Sequence, residues 1–143
     1  MTDDERRSQG MNVRRQVLGD EHVDAAVART TASTADFQDF ITRTAWGDIW
    51  SRPGLDRRAR SIAVLSSLIA LGHHEELAMH VRAAFGNGLT RDEIIEVILQ
   101  SGLYAGVPAA NTAFRLAQPI LDEHEAESES GSVSGHDSGS GDS

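Results

Sequence analysis

The sequence predicts an all-α protein: a bundle of about six helices joined by short loops and followed by a disordered tail. Three observations lead there. The composition is 39% hydrophobic but only 5% aromatic. A core must therefore be built mainly from Ala, Val, Leu and Ile, which suits packed helices. Apolar residues recur at helical spacing, and strand-like alternation is essentially missing. Gly and Pro punctuate the joints. A chain of 143 residues has room for one domain with a single core.

Residues 5–18 and 20–30 are weakly patterned, with Met11, Val13, Val17 and Leu18 followed by Val23, Ala26 and Val27. They read as two helices, or as one helix bent near Gly19. Residues 34–48 carry Phe37, Phe40, Ile41, Ala45 and Trp46 at near-helical spacing, and Pro53-Gly54 then breaks the chain. Residues 56–72 are the most apolar stretch and predict a helix buried almost all round, ended by Gly72. Residues 74–86 place Leu77, Val81, Ala84 and Phe85 on one face, with Gly86 and Gly88 as the stop. Thr90 and Glu93 form a capping box, the most specific local signal in the chain. It opens a helix with Ile94, Val97, Ile98 and Tyr104 inward. Gly106 and Pro108 precede a last helix running to about Leu121. Residues 123–143 are acidic and rich in Ser and Gly, too poor in apolar surface to offset the entropy of ordering. The expected organisation is a helical domain over 1–122 and a disordered tail over 123–143.

Charge excludes one class of partner. The formal net charge is −9, but residues 123–143 hold six acidic residues and no basic one. The rest has 16 acidic and 13 basic residues, and no basic stripe that would bind nucleic acid. No apolar run approaches the roughly 20 residues of a membrane helix, and the N-terminus lacks the apolar core of a signal peptide. The expected location is the cytoplasm. There is no cysteine and no lysine: all 13 basic residues are arginine. Thiolate chemistry, cysteine-bound zinc and Schiff-base chemistry are closed to this chain. His, Asp, Glu, Arg, Ser, Thr, Tyr and backbone groups remain.

Four groupings can carry chemistry. In the first, Asp56 can cap a helix whose first turn holds Arg57, Arg58 and Arg60. Cations there oppose the helix dipole, yet a helix N-terminus with clustered arginines is a good anion receptor. The plainer reading is solvated arginines, with Arg60 paired to a carboxylate. In the second, His73, Glu76 and His80 share a helical face, with His74 and Glu75 beside them. A Glu76–His80 hydrogen bond would orient the imidazole and raise its pKa, as proton transfer near neutrality requires. A metal site or a buried structural histidine also fits this spacing. The third runs from Tyr104 to Asn111 through small residues; Asn111 suits a ligand carbonyl or a core network. The fourth is Trp46 and Trp50, four apart, which wall a pocket or staple the core.

Together these stretches resemble the carboxymuconolactone decarboxylase family. The resemblance is carried by W-G-x-I-W-S-R-P-G-L-D-R-R-x-R-S at 46–61, L-G-H-H-E-E-L-A-M-H-V-R-A-A at 71–84, N-G-L-T-R-D-E-I-I-E-V-I-L-Q at 87–100 and Y-A-G-V-P-A-A-N-T-A-F at 104–114. It is continuous over about 35–121. The wider superfamily contains alkylhydroperoxidase D-like proteins with a C-x-x-C-x-x-x-H motif. Here those cysteine positions are His73 and Glu76, and the histidine is His80. The resemblance implies an alkylhydroperoxidase D-like bundle, a homo-oligomer (trimer or hexamer), and cofactor-free loss of CO2 from a dicarboxylate lactone in aromatic catabolism. Under it, His80 and Glu76 are the expected catalytic pair. Arg58, Arg60, His74, Trp50, Tyr104 and Asn111 are expected at the substrate; no metal or cofactor is expected. The alternative is a redox or small-ligand-binding paralogue on the same fold.

Overall fold

The computed structural model describes residues 1–133, and among these it is helical with no strand. Helix α1 (Asp3–Leu18) opens on a capping box. The Glu5 N–H donates to the Thr2 hydroxyl, and the Thr2 N–H donates to the Glu5 carboxylate, at 3.2 and 2.8 Å. Gly19, at φ 89° and ψ 149°, cannot continue a helix, so α2 (Asp20–Ala28) is a separate element. α3 (Ala35–Ile41) runs directly into a π-helical segment, Thr42–Ile49. The wider turn ends with the Trp50 N–H donating to the Ala45 carbonyl at 2.9 Å, an i→i+5 bond.

The second half follows its sequence signals closely. Asp56 caps α4 (Arg57–Leu71), its carboxylate accepting the Ala59 N–H at 2.7 Å, and Gly72 ends the helix in the left-handed region at φ 73°. α5 (His74–Gly86) comes next. α6 (Arg91–Ala105) starts on the Thr90–Glu93 capping box, and α7 (Val107–Val133) ends the described chain.

Four expectations change. The single helix expected over 34–48 is α3 plus the π-helical segment. α4 is not buried all round: Ser61, Leu65 and Ile69 are buried, whereas Ala63, Ala70 and Leu71 are exposed. Tyr104 is not inward but 83% exposed, because the last turn of α6 projects past the core. Helix α7 also runs on past Leu121 through residues 123–133. Residues 134–143, the remainder of the expected tail, lie outside the described residues.

The main core lies among α4, α5, α6 and α7, built from residues such as Leu65, Leu77, Val81, Ile94, Ala113 and Leu121. A second, smaller cluster joins α1 to the π-helical segment through Val13, Val17 and Trp46. The two backbones nearly touch there. A Cβ on Gly10 would lie 2.0 Å from the Thr42 carbonyl oxygen, and one on Gly47 would lie 2.8 Å from the Arg6 carbonyl oxygen. Ion pairs of Arg6 with Asp48, and of Arg7 and Arg43 with Asp39, lace the same seam. Helix α5 packs on both bodies, against α4 and α7 on one side and α1 on the other. That position sets the site. No described helix is long and apolar enough to cross a membrane.

Candidate active site

His80, nearly two turns into α5 on its buried face, stands where the two cores meet. It is 8% exposed, and its Nδ1 is buried with no hydrogen-bond partner. The π-helical segment brings the Trp50 ring parallel to its imidazole, with centroids 6.3 Å apart and planes 10° apart. Trp46 stacks behind Trp50 at 5.4 Å. The imidazole thus faces an indole wall, a surface that excludes water and offers a π face.

Glu76 does not hold His80 in a hydrogen bond. It is exposed at the surface end of α5, and the pKa of His80 is lowered, not raised. Burial is the main cause and repulsion from His22 the second; attraction by Glu76 opposes them but ranks last. Together they push the imidazole down to about 4. In the empty protein His80 is therefore neutral at pH 7.

The acid limb of stability follows. The unfolded chain takes up this proton near pH 6.5, the folded chain only near 4. Between those limits the unfolded state holds more proton, so stability falls as pH falls. The full loss from this group is about 3 kcal/mol. Urea midpoints measured between pH 7 and pH 4 should show it in the native protein. His80→Gln should remove this component while leaving the low-pH losses from Asp39 and Asp48, whose arginine partners hold their carboxyls below the usual range.

Two basic side chains that sequence patterning did not single out lie on the α1–α2 side of the site: His22, whose charge acts on His80, and Arg14, whose charge acts on His22. Arg14 on α1 is 6% exposed. One guanidinium nitrogen, Nη2, donates to the Gln38 side-chain oxygen at 3.2 Å, and Nε is buried without a partner. Burial, and then the charge of Arg15, lowers its pKa. His22 on α2 is half-buried, and its pKa is lowered by burial and then by Arg14 and Arg29. His22 also lines an open cleft of about 750 Å³ with Glu75, Met79, Arg82 and His124. A signal for Arg14 did exist. Gly10, Val13, Arg14 and Val17 are the buried residues of α1 and follow the i, i+3, i+4, i+7 rule, so this arginine occupies a core position.

The other expected site residues lie elsewhere. Arg58 ion-pairs with Glu93 and also donates to the Gly88 carbonyl at 3.0 Å, tying α4 to the start of α6. Arg60 reaches back to the carbonyls of Leu55 and Arg52, at 3.2 and 3.0 Å, closing the Pro53-Gly54 loop. His74, Tyr104 and Asn111 are exposed. Of the eight expected residues, the fold brings His80 and Trp50 together, with Glu76 within electrostatic reach. Among the described residues, no group of three or more His, Asp or Glu is disposed to hold a metal ion.

Known proteins are similar to this chain over most of its length. The model of the carboxymuconolactone decarboxylase family matches residues 35–119, which include Trp50 and His80 but not Arg14 and His22. The chain is 48% identical to a 4-carboxymuconolactone decarboxylase of Acinetobacter baylyi, over 85% of this chain and 90% of that protein. It is 40% identical to a nitrosuccinic acid decarboxylase of Metarhizium robertsii, over 80% of each chain. A 48-residue stretch is 46% identical to a 4-carboxymuconolactone decarboxylase of Pseudomonas putida, covering 34% of this chain and all of the matched sequence.

Proposed function

The chain belongs to the carboxymuconolactone decarboxylase family, and from that premise we propose that it removes CO2 from 4-carboxymuconolactone, without a cofactor, to give the β-ketoadipate enol-lactone of protocatechuate breakdown. The observation that carries this reading is the near full-length match to the Acinetobacter baylyi enzyme.

The chemistry needs little from the protein. The departing carboxylate sits on the γ-carbon of an unsaturated lactone. As its C–C bond breaks, the electron pair moves through the ring double bond onto the lactone carbonyl. A proton then adds to the carbon beside that carbonyl. One CO2 leaves, one proton enters, and the substrate is its own electron sink. The protein must bind a dianion, stabilise the dienolate and deliver the proton. Nitrosuccinic acid offers a related arrangement, a nitro group beside a carboxyl.

His80 is the proposed proton donor. It is neutral in the empty site, and two incoming carboxylates favour its charged form, so substrate and proton enter together. The imidazolium returns to neutrality as the ring carbon is protonated. Trp50 covers the ring, and Glu76 helps attract the proton from the surface. His74, Tyr104 and Asn111, exposed in one protomer, would meet substrate only across a subunit boundary.

Freshly generated 4-carboxymuconolactone should release one CO2 per lactone with no added cofactor, at a higher kcat/KM than nitrosuccinate. No CO2 from either would leave a redox or ligand-binding paralogue; faster turnover of nitrosuccinate would reassign the substrate.

We also infer a homo-oligomer, a trimer or hexamer. Leu71, Leu99, Leu103, Tyr104 and Val107 are between 53% and 83% exposed, beside a groove where α4 meets α6. An apolar face of this kind is normally covered. Leu103→Glu should shift the sedimentation coefficient to that of a monomer, and a native protein sedimenting as a monomer would refute the assembly.

A further inference from the structure

Arg14 is the only buried arginine among the described residues, and it faces no carboxylate. That sets it apart. Arg6, Arg7, Arg15, Arg43, Arg58 and Arg91 all pair with Asp or Glu. Enclosing a guanidinium in protein costs several kcal/mol unless a negative charge accompanies it. The one bond Arg14 makes, to the neutral amide of Gln38, leaves Nε enclosed and unused. The charged side chain that acts on it is another cation, Arg15, and burial together with Arg14 lowers the pKa of His22 beside it. A charge left unmatched in this way, on the helix that packs against both the Trp46–Trp50 segment and α5, is matched by a ligand.

The geometry points to a specificity role: Arg14, set by Gln38 and flanked by His22, binds the substrate carboxylate that stays through the reaction. This rests on the decarboxylase reading above and extends it. The substrate carries two carboxylates, one departing and one on a CH2 arm that is retained. An arginine on the departing group would stabilise the charge that must leave, and so raise the barrier. An arginine on the retained arm binds ground state and transition state alike and fixes the ring for reaction. The departing group then lies against the Trp50 face, where an anion is poorly solvated and CO2 is not, while His80 stands at the ring carbon it protonates. Arg14 and His22 also lie outside the segment matched by the family model, which holds Trp50 and His80. The shared segment supplies the proton site; the α1–α2 pair supplies the charge recognition for one class of substrate, the arm-bearing dianions.

The test uses Arg14→Met, similar in volume and uncharged, and Arg14→Lys, which keeps the charge but not the fork. Two unreactive probes are compared in thermal melts of the full chain: furan-2-acetate, which has the retained arm, and furan-2-carboxylate, which has only a carboxyl on the ring. The native protein should be stabilised by furan-2-acetate, Arg14→Lys weakly, and Arg14→Met not at all. Without ligand, Arg14→Met should melt at or above the native temperature, because an unmatched buried charge is gone. With the lactone, KM should rise about 100-fold with kcat reduced far less, the loss of a charged hydrogen-bond pair. Protection by furan-2-carboxylate alone would assign Arg14 to the departing group and overturn the proposal. Protection by neither probe, or a lower melting temperature of Arg14→Met with KM unchanged, would overturn it as well. The melts need no turnover, so failure of the lactone assay and failure of this assignment are separate results.

Discussion

His80→Asn should lower kcat for 4-carboxymuconolactone about 10³-fold, the scale of a lost general acid, with a much smaller rise in KM. The reasons are geometric and electrostatic. The imidazole is enclosed, faces Trp50 and has a ring nitrogen free of protein partners. Its pKa is pushed down to about 4 in the empty site, mainly by burial. A resting imidazolium would be poorly solvated there and repelled by charge on His22. Arrival of the dianion reverses that balance, and the proton follows the substrate in. The alkaline limb of the native kcat profile should then report His80 in the complex, and His80→Asn should abolish that limb. A variant with kcat within tenfold of native would remove His80 from the chemistry and leave solvent as the proton source.

Gly10→Ala should be the most damaging small substitution, lowering stability by about 3 kcal/mol and the melting temperature by about 10 °C. The added methyl would stand 2.0 Å from the Thr42 carbonyl oxygen, a backbone atom that no side-chain rotation can move aside. α1 would have to lift from the π-helical segment. Val13 and Val17 would lose Trp46, and Arg14 would leave its position beside His22. Activity should therefore fall together with stability. Gly54→Ala is the control: nothing lies within 4 Å of its added methyl, and its melt should match the native one. A Gly10→Ala protein as stable as this control would contradict the close packing of α1.

Most helices were legible because their ends carry chemistry that acts locally. Thr90 with Glu93, Asp56 before α4 and Gly72 after it specify caps that depend on neighbours in sequence alone. The π-helical segment was not legible. Trp46 and Trp50, four apart, suit an α-helix equally well, and the backbone contact with Gly10 and Gly47 lies more than thirty residues away for one partner. The faces of α4 and α6 were misjudged for a related reason. Apolar content at Leu71, Leu103 and Tyr104 reports that something covers a surface, not that the cover belongs to the same chain.

In the site, the family resemblance marked out His80 and Trp50, while the arginines expected at the substrate, Arg58 and Arg60, are engaged by other partners in this chain. Arg57, Arg58 and Arg60 stand out as a cluster at a helix start, whereas Arg58 and Arg60 are held by Glu93 and by loop carbonyls. Arg14 stands in an ordinary-looking Arg14-Arg15 pair, and only its register with Gly10, Val13 and Val17 separates it from its neighbour. The Glu76–His80 pair was judged by spacing, which brings two side chains to one face. Spacing does not say that one is buried and the other solvated, and that difference sends the imidazole pKa down.

The stacked indoles have a practical meaning. The chain has two tryptophans, and both belong to the wall beside His80. Tryptophan emission from this protein is thus a local optical signal, undiluted by tryptophans elsewhere. A charged imidazole quenches an adjacent indole more strongly than a neutral one does. The brightness of the native protein consequently follows the protonation and occupancy of one ring, and the enzyme carries its own indicator dye.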